Sequence, residues 1–315
     1  MSSSPLDKRG IGELQRSLER FETYNDGFIL PDTRLVIRLD AHRIGDWTRI
    51  ASGEYPCGIE LTKAFHSTAK ALLTSSFRVV LAYAHGDEIS LYIDPTENSN
   101  PLRRSKLISS FASAAALHFR DASGLSALFD ARLSELPSDE RLTEYFMWQR
   151  RYCFRNAITI ALRRTLADAG LSADDVERRL HGLPEAQRID ALAQAGVSLQ
   201  SIPSTTRHGA VFSWHEVEKD GRSTFSIRET TSLPLEDEDF LNLIKQLLRK
   251  GSGVSTANII THDKKSTLLK SEDKGNSAHS PQRPFRPTKR SNVSVVKLAQ
   301  NSDRPAPQTP SRARR

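Results

Sequence analysis

"FRVVLAYAHGDEISLYI", residues 77 to 93, decides how the rest of the chain folds. Two runs dense in branched and aromatic residues, a composition that suits a pleated and buried surface, flank the short break "AHGD". A connection this short joins the two runs as an antiparallel hairpin. It also carries Asp87 and Glu88 side by side to the entrance of a strand whose Ile89, Leu91 and Ile93 alternate toward a core. Charged groups at the mouth of a buried strand are costly unless something compensates them.

Working outward, "RLVIRLD" (34–40) is a short apolar run that ends at Asp40 and reads as a central strand. Between it and the hairpin, residues 58–75 have helical spacing, with Ile59, Leu61, Phe65, Ala69 and Leu72 or Leu73 directed to a core. After the hairpin, "SKLISSFASAAALHFR" is a second helix whose small residues let it lie close to a sheet, and "LFDARLSELP" is a further strand. The order is βαββαβ, the split unit of ferredoxin-like folds. It predicts an α+β palm-like sheet with helices on one face. Upstream, "IGELQRSLERFETYN" (11–25) is helical in pattern and is stopped by Pro31 and Asp32. Downstream, "SDERLTEYFMWQRRYCFRNAITIALRRTLADAG" predicts a long helix opened by a Ser/Asp cap and closed by Gly170. Two shorter helices follow in "SADDVERRLHG" and "PEAQRIDALAQAG", then a closing hairpin over 208–230 that turns at Asp220-Gly221. Three segments result: a palm-like catalytic domain over 1–135, a mainly helical appendage with its hairpin over 136–250, and a tail over 251–315.

The tail differs from the rest in charge. Thirteen of the 45 Lys and Arg but four of the 38 Asp and Glu lie in it, which gives it +9 and leaves −2 on the first 250 residues. Six Pro, ten Ser and one Phe offer too little apolar surface to offset the entropy of ordering it, so it reads as a disordered basic arm with affinity for polyanions. A solubilising extension without a partner fits the same composition. Cys57 and Cys153 stand far apart and outside any metal-ligand spacing, which predicts a reducing compartment and no disulfide framework. No apolar run approaches the roughly 20 residues that span a bilayer, and the N-terminus lacks a hydrophobic signal core. A soluble, cytoplasmic protein without a membrane partner is expected.

In the βαββαβ order the first strand neighbours the hairpin, so Asp40 can meet Asp87 and Glu88 at one sheet end. Carboxylates gathered there raise one another's pKa values, and a divalent cation removes that cost. Few hard oxygen ligands with open positions for phosphates suit Mg²⁺, and two such ions can hold the attacking and departing oxygens of a phosphoryl transfer. Arg38 lies two residues before Asp40, and Arg103, Arg104 and Lys106 open the second helix, where they would neutralise a triphosphate. Arg150, Arg151 and Arg155 interleave with Trp148, Tyr152 and Phe154 on the long helix, a pattern suited to RNA, while Phe146, Cys153 and Ile160 pack inward. His42 and His85 flank the acids and are read as packing or supporting contacts, and His181 and His208 need no catalytic role.

These residues resemble the tRNA-histidine guanylyltransferases and their relatives, which add nucleotides in the 3′-to-5′ direction. "VIRLDAHRIGDW" is similar to the family's VIRLDGRNFHRF, "AYAHGDEISL" to AYGQSDEYSF, "RRSKLISSFASAAALHF" to RRxSKLxSxxAS, "FDARL" to FDGRV, and "LTEYFMWQRRYCFRNAI" to LxDYLxWRQxDCxxNN. Five motifs in order, from about residue 11 to 215, make the resemblance specific. It implies a palm-like nucleotidyltransferase, dimeric or tetrameric, that activates a tRNA 5′ end with ATP or uses an existing triphosphate, after which the 3′-hydroxyl of an incoming nucleotide, GTP preferred, attacks. It further implies that Asp40, Asp87 and the backbone carbonyl of Ala41 hold two Mg²⁺ ions with support from Glu88. Asp40, Ala41, His42, Arg43, Ile44 and Gly45 with Gly86 and Asp87 would line the nucleoside triphosphate site, and Arg103, Arg104 and Lys106 would reach phosphates. Asn156, which remains of the helix motif, and Arg207, where the family also carries a base, join Arg150, Arg151 and Arg155 as RNA contacts. Ala41, Ile44, Gly45, Gly86, Phe154 and Ala157 replace the family's Gly, Phe, His, Ser, His and Asn. Guanylylation of tRNA-histidine and template-directed repair of tRNA 5′ ends both accommodate these departures. Two other readings stay open: a nucleotidyl cyclase of the same palm, since "HGDEI" resembles the Gly-Gly-Asp-Glu-Phe turn, and an RNA-binding descendant without turnover.

Overall fold

The computed structural model describes residues 27–42, 58–94, 102–219, 222–234 and 236–251. The helix expected over 11–25, Cys57, the Asp220-Gly221 turn and the tail from 252 onward lie outside them.

Among the described residues six strands form one antiparallel sheet in the order β4-β1-β3-β2-β5-β6, the last two being β5 (Ala210–Lys219) and β6 (Arg222–Thr230). Strands β1 (Arg34–Ala41), β2 (Val79–His85), β3 (Glu88–Ile93) and β4 (Phe129–Leu136) take the 4-1-3-2 arrangement of the split βαββαβ unit. Helices α1 (Ile59–Leu73) and α2 (Arg104–Ser123) cover one face. There Leu35, Ile37 and Leu39 of β1 and Ile89, Leu91 and Ile93 of β3 meet Phe65, Leu72, Phe111 and Phe119, with the Phe65 and Phe119 rings 4.8 Å apart. Ala115 is fully buried, and Ala112, Ala114 and Ala116 are partly buried against the same core, as the small residues of α2 allow. Ile59 does not join this core: it opens α1, off the inward stripe, and is 68% exposed.

Helices also cover the second face, contrary to the one-sided sheet expected. Val36, Tyr83 and Tyr92 point there and pack against Leu142 and Phe146 of α3 (Asp139–Asp168) and against Phe240 and Ile244 of a further helix after β6. Every residue of β2 is buried, as a strand covered on both sides requires. Thirty residues make α3 about 45 Å long. Its first turn is capped by Ser138, whose Oγ accepts the Arg141 N–H at 3.3 Å.

The hairpin expected in the appendage belongs to the sheet. Strand β5 (Ala210–Lys219) pairs with β2 from Leu81↔Ser213 to Ala84↔Ala210, and β6 (Arg222–Thr230) pairs with β5. An apolar β2 left at the sheet edge would expose unpaired backbone, and β5 covers it. The Trp214 indole N–H donates to the Val79 carbonyl at 3.0 Å across that pairing. The C-terminal half of α3 forms a separate cluster with α4 (Ala173–Leu180) and α5 (Glu185–Gln194) through Ile158, Leu162, Val176, Leu180 and Leu192. A 3₁₀ turn (Leu199–Ser201) and the short α6 (Ser204–His208) lead into β5, and α7 (Asp237–Gly251) closes the described chain. Among the described residues no helix is long and apolar enough to cross a membrane.

Candidate active site

The acids meet where the register puts them. Asp40 of β1 lies opposite Glu88 of β3, and the Ala41 N–H donates to the Asp87 carbonyl at 3.1 Å. Gly86 has φ 54°, the left-handed conformation that lets β2 return as β3 through a two-residue turn. Asp40, Asp87 and Glu88 line a cavity of about 290 Å³ bounded by the sheet end, α1 and α3. Asn156 and Tyr152 of α3 and Thr62 and His66 of α1 complete its walls. On the other side of β1, Asp130 of the "FDARL" stretch pairs in register with Asp40, a fourth carboxylate at this sheet end that the sequence reading did not single out. The sheet order makes it detectable, since it is the residue of β4 directly opposite Asp40.

Burial and crowding set the charge states. Burial first, and then the charge of Asp40, push the Asp87 carboxyl up to about 6. Burial likewise raises Glu88 to about 7; Arg38 opposes this, and Asp40 and Asp87 add to it. Glu88 Oε2 is buried without a hydrogen-bond partner, with Arg38 Nη1 at 3.8 Å and His85 Nε2 at 3.7 Å. Burial drives His85 down to about 4, so its imidazole is neutral at pH 7 and its Nε2–H donates to Gln149 Oε1 at 2.8 Å. The Gln149 amide donates in turn to the Tyr145 hydroxyl at 3.2 Å, which lies 3.4 Å from Ser90 Oγ. Tyr145 and Gln149 are one helical turn apart on α3, and only the packing of α3 over the acids reveals that they anchor His85.

Among the described residues no basic side chain is ion-paired with Asp40 or Asp87, and no group of three or more His, Cys, Asp or Glu side chains is arranged to hold a metal. Two hard carboxylates with repulsion to relieve, and few competing ligands, fit Mg²⁺ held partly by phosphate oxygens.

Other expected site residues are distributed differently. Arg38 is at the site, between Glu88 and the Trp148 ring, 5.6 Å from its centroid. His42 turns away to Asp130, with Nε2 2.6 Å from Oδ2. Arg43, Ile44 and Gly45 lie outside the described residues. Arg103, Arg104 and Lys106 do not approach the acids. Strand β3 runs away from the acid turn, so the helix after it starts at the far sheet end, where Arg104 Nε binds Glu135 at 2.5 Å. Glu135 is level with Leu35, five strand residues or about 17 Å from Asp40. Arg103 lies over the Phe28 ring at 5.7 Å, and Lys106 is exposed.

Of the expected RNA contacts, Arg150 is buried; its guanidinium binds Asp237 Oδ1 at 2.5 Å and the Pro234 carbonyl at 2.8 Å and sits over the Phe240 ring. Arg151 pairs with the same Asp237. Arg207 donates to the Ile202 carbonyl at 2.9 Å and braces the turn before β5. Arg150 and Arg151 hold α3 to the segment that follows the hairpin. Arg155 is exposed over the Tyr152 ring at 5.5 Å, and Asn156 faces the cavity. Arg150→Ala is expected to lower the unfolding free energy by about 3 kcal/mol, measured by urea titration.

Residues 15–142, which contain the βαββαβ unit and its acids, match the family model described as tRNAHis guanylyltransferase. Over that segment the chain is similar to the tRNAHis guanylyltransferases. The tRNA(His) guanylyltransferase of Debaryomyces hansenii is 25% identical over 207 residues, 62% of this chain and 77% of the relative. A probable tRNA(His) guanylyltransferase of Drosophila melanogaster is 25% identical over 196 residues, 59% of this chain and 68% of the relative. Among solved structures, a bacterial tRNA(His) guanylyltransferase-like protein in complex with ATP matches with a TM-score of 0.59 at 20% identity, over 76% of this chain and 99% of that one. The tRNA(His) guanylyltransferase from Saccharomyces cerevisiae gives 0.56 at 18% identity, over 70% of this chain and 96% of its own. These likenesses show the palm-like fold of the solved guanylyltransferases over 76% and 70% of this chain.

Proposed function

We propose that this protein is a Mg²⁺-dependent nucleotidyltransferase that adds a nucleotide, GTP preferred, to the 5′ end of a tRNA. The observation that carries the reading is the confinement of Asp40, Asp87 and Glu88 to one cavity in which neither aspartate has a basic partner among the described residues. Relatives named for tRNA(His), and bacterial neighbours solved with ATP and with GTP, support the substrate class.

Asp40 and Asp87, with the Ala41 carbonyl, would hold two Mg²⁺ ions. When bound, these supply charge neutralisation of the triphosphate and Lewis-acid activation of the transferred phosphoryl group. The chain's own residues do the rest. Glu88 lines the same cavity and, raised to about 7 by burial, is only partly ionised at neutral pH, while Arg38 favours its charged form. His85 stays uncharged and hydrogen-bonded to Gln149, so it neither pairs with the acids nor displaces a cation. Tyr152 and Asn156 bring polar edges of α3 to the cavity, where a ribose or base presents donors and acceptors. Assembly as a homodimer or homotetramer in the cytoplasm is part of the same reading; the buried, unpaired Cys153 is in keeping with it.

The test supplies tRNA transcripts, complete or lacking the first nucleotide, with Mg²⁺ and each nucleoside triphosphate, and maps the 5′ ends. Extension by one nucleotide, stopped by EDTA, is expected. A product made from GTP or ATP without RNA identifies a cyclase instead, and absence of any product leaves an RNA-binding descendant.

A further inference from the structure

With Arg150 and Arg151 held by Asp237, the face of α3 beside the acid cavity presents three rings and one exposed arginine, Arg155. Tyr145, Trp148, Tyr152 and Arg155 recur at three and four residues and so share one stripe of the helix. Tyr145 meets Trp148 edge-on at 5.5 Å, Trp148 and Tyr152 are 6.2 Å apart and inclined by 34°, and Arg155 lies over Tyr152. Trp148 is 47% exposed, in contrast to Trp214, which is buried at 2% with its indole N–H bonded. The indole is nonetheless held: Tyr145 braces one side, and Arg38, the arginine that reaches Glu88, lies 5.6 Å from its centroid. A fixed, half-exposed indole costs little entropy to bind against, and it has no core to complete.

We propose that Trp148 and Tyr152 are a stacking platform for unpaired bases at the end of the RNA substrate. The proposal rests on the reading of the acid cavity as a site that acts on an RNA end. Tyr152 belongs to the cavity wall and Trp148 lies one turn beyond it, outside the cavity. A nucleoside triphosphate confined to the cavity does not reach the indole, whereas a polynucleotide whose terminus sits at the acids leads out over it. A base in a duplex has both faces covered by its neighbours; an unpaired base can give one to an aromatic ring. Arg38 and Arg155 at the two rings supply the positive charge that a phosphate-linked strand requires.

The test uses the full chain and three probes: a fluorescein-labelled single-stranded RNA octamer, a blunt RNA duplex of the same sequence, and GTP with Mg²⁺. Trp148→Leu keeps the apolar packing and removes the π-face, and Trp148→Phe keeps a ring. Trp148→Leu should raise the Kd for the single strand about tenfold. Trp148→Phe should stay within about twofold. The slope of log Kd against log salt should not change, because no phosphate contact is lost. Binding of duplex and of GTP should be unaffected. The proposal is overturned by an unchanged Kd in Trp148→Leu, by an equal loss for duplex and single strand, or by weakened GTP binding, which would place the incoming base on the indole. These are binding measurements, so failure of the parent protein to extend tRNA would refute the proposed function and leave this readout standing.

Discussion

Asp87→Asn is expected to be more stable than the parent protein at pH 8 and unable to add a nucleotide. Folding moves the Asp87 carboxyl from about 3.8 to about 6, through burial and the neighbouring charge of Asp40. A carboxyl whose folded pKa lies above its unfolded one costs stability above the folded value, and the cost fades as pH falls toward the unfolded value. Asparagine keeps the shape and removes the charge. With allowance for the partial exposure of Asp87, the variant should gain about 1–2 kcal/mol at pH 8 and nothing near pH 4. The two histidines lowered to about 4, His85 and His208, act with the opposite sign: the stability they confer is present above about 6.5 and is lost as pH falls toward 4. They flatten the pH profile of the parent, so the difference between variant and parent is the informative quantity, read from urea unfolding at both pH values. Loss of a proposed Mg²⁺ ligand should lower the rate of 5′ addition by about 10³-fold or more, and Mg²⁺ should cease to raise the thermal midpoint. A variant that is less stable and fully active would remove the acids from catalysis.

Gly209→Ala should destabilise the fold by about 3 kcal/mol. Gly209 has φ 69° where α6 turns into β5, and a Cβ there would lie 2.7 Å from the Ala84 carbonyl and 2.8 Å from the Tyr83 hydroxyl. Neither neighbour can yield. Tyr83 is fully buried and its hydroxyl donates to the His208 carbonyl at 2.7 Å, while Ala84 is paired with Ala210 in the sheet. The added methyl must push β5 away from the end of β2 that leads into the acid turn. Gly86→Ala is the comparison: its φ is also positive, but no atom lies within 4 Å of its Cβ, so it should cost only the conformational penalty of about 1–2 kcal/mol. Equal losses in the two variants, measured by urea unfolding, would show that the contact at Gly209 is relieved without moving the strands.

Some placements that the sequence reading missed were within its reach and others were not. The βαββαβ order already implied that α2 starts at the sheet end opposite the acid turn, because β3 leads away from it; the wrong placement of Arg103, Arg104 and Lys106 came from following motif order in place of strand direction. The β2 strand, apolar but for its last residue His85, likewise signalled cover on both faces. Nothing local distinguishes Arg150 from Arg155. One is buried on Asp237, 87 residues further along the chain, and the other lies exposed over Tyr152.

By itself the sequence determined the hairpin at residues 77–93, the βαββαβ unit around it and the meeting of Asp40 with Asp87 and Glu88. Turn chemistry, residue periodicity and the antiparallel register are local rules, and they fix which residues come to one sheet end. Tertiary structure alone decided that Asp130 stands opposite Asp40, that burial keeps His85 neutral beside Glu88, and that Arg150 and Arg151 of α3 turn to Asp237 while Trp148 stays half-exposed. Burial and charge pairing between segments far apart in the chain set those outcomes, and no short stretch of sequence contains both partners.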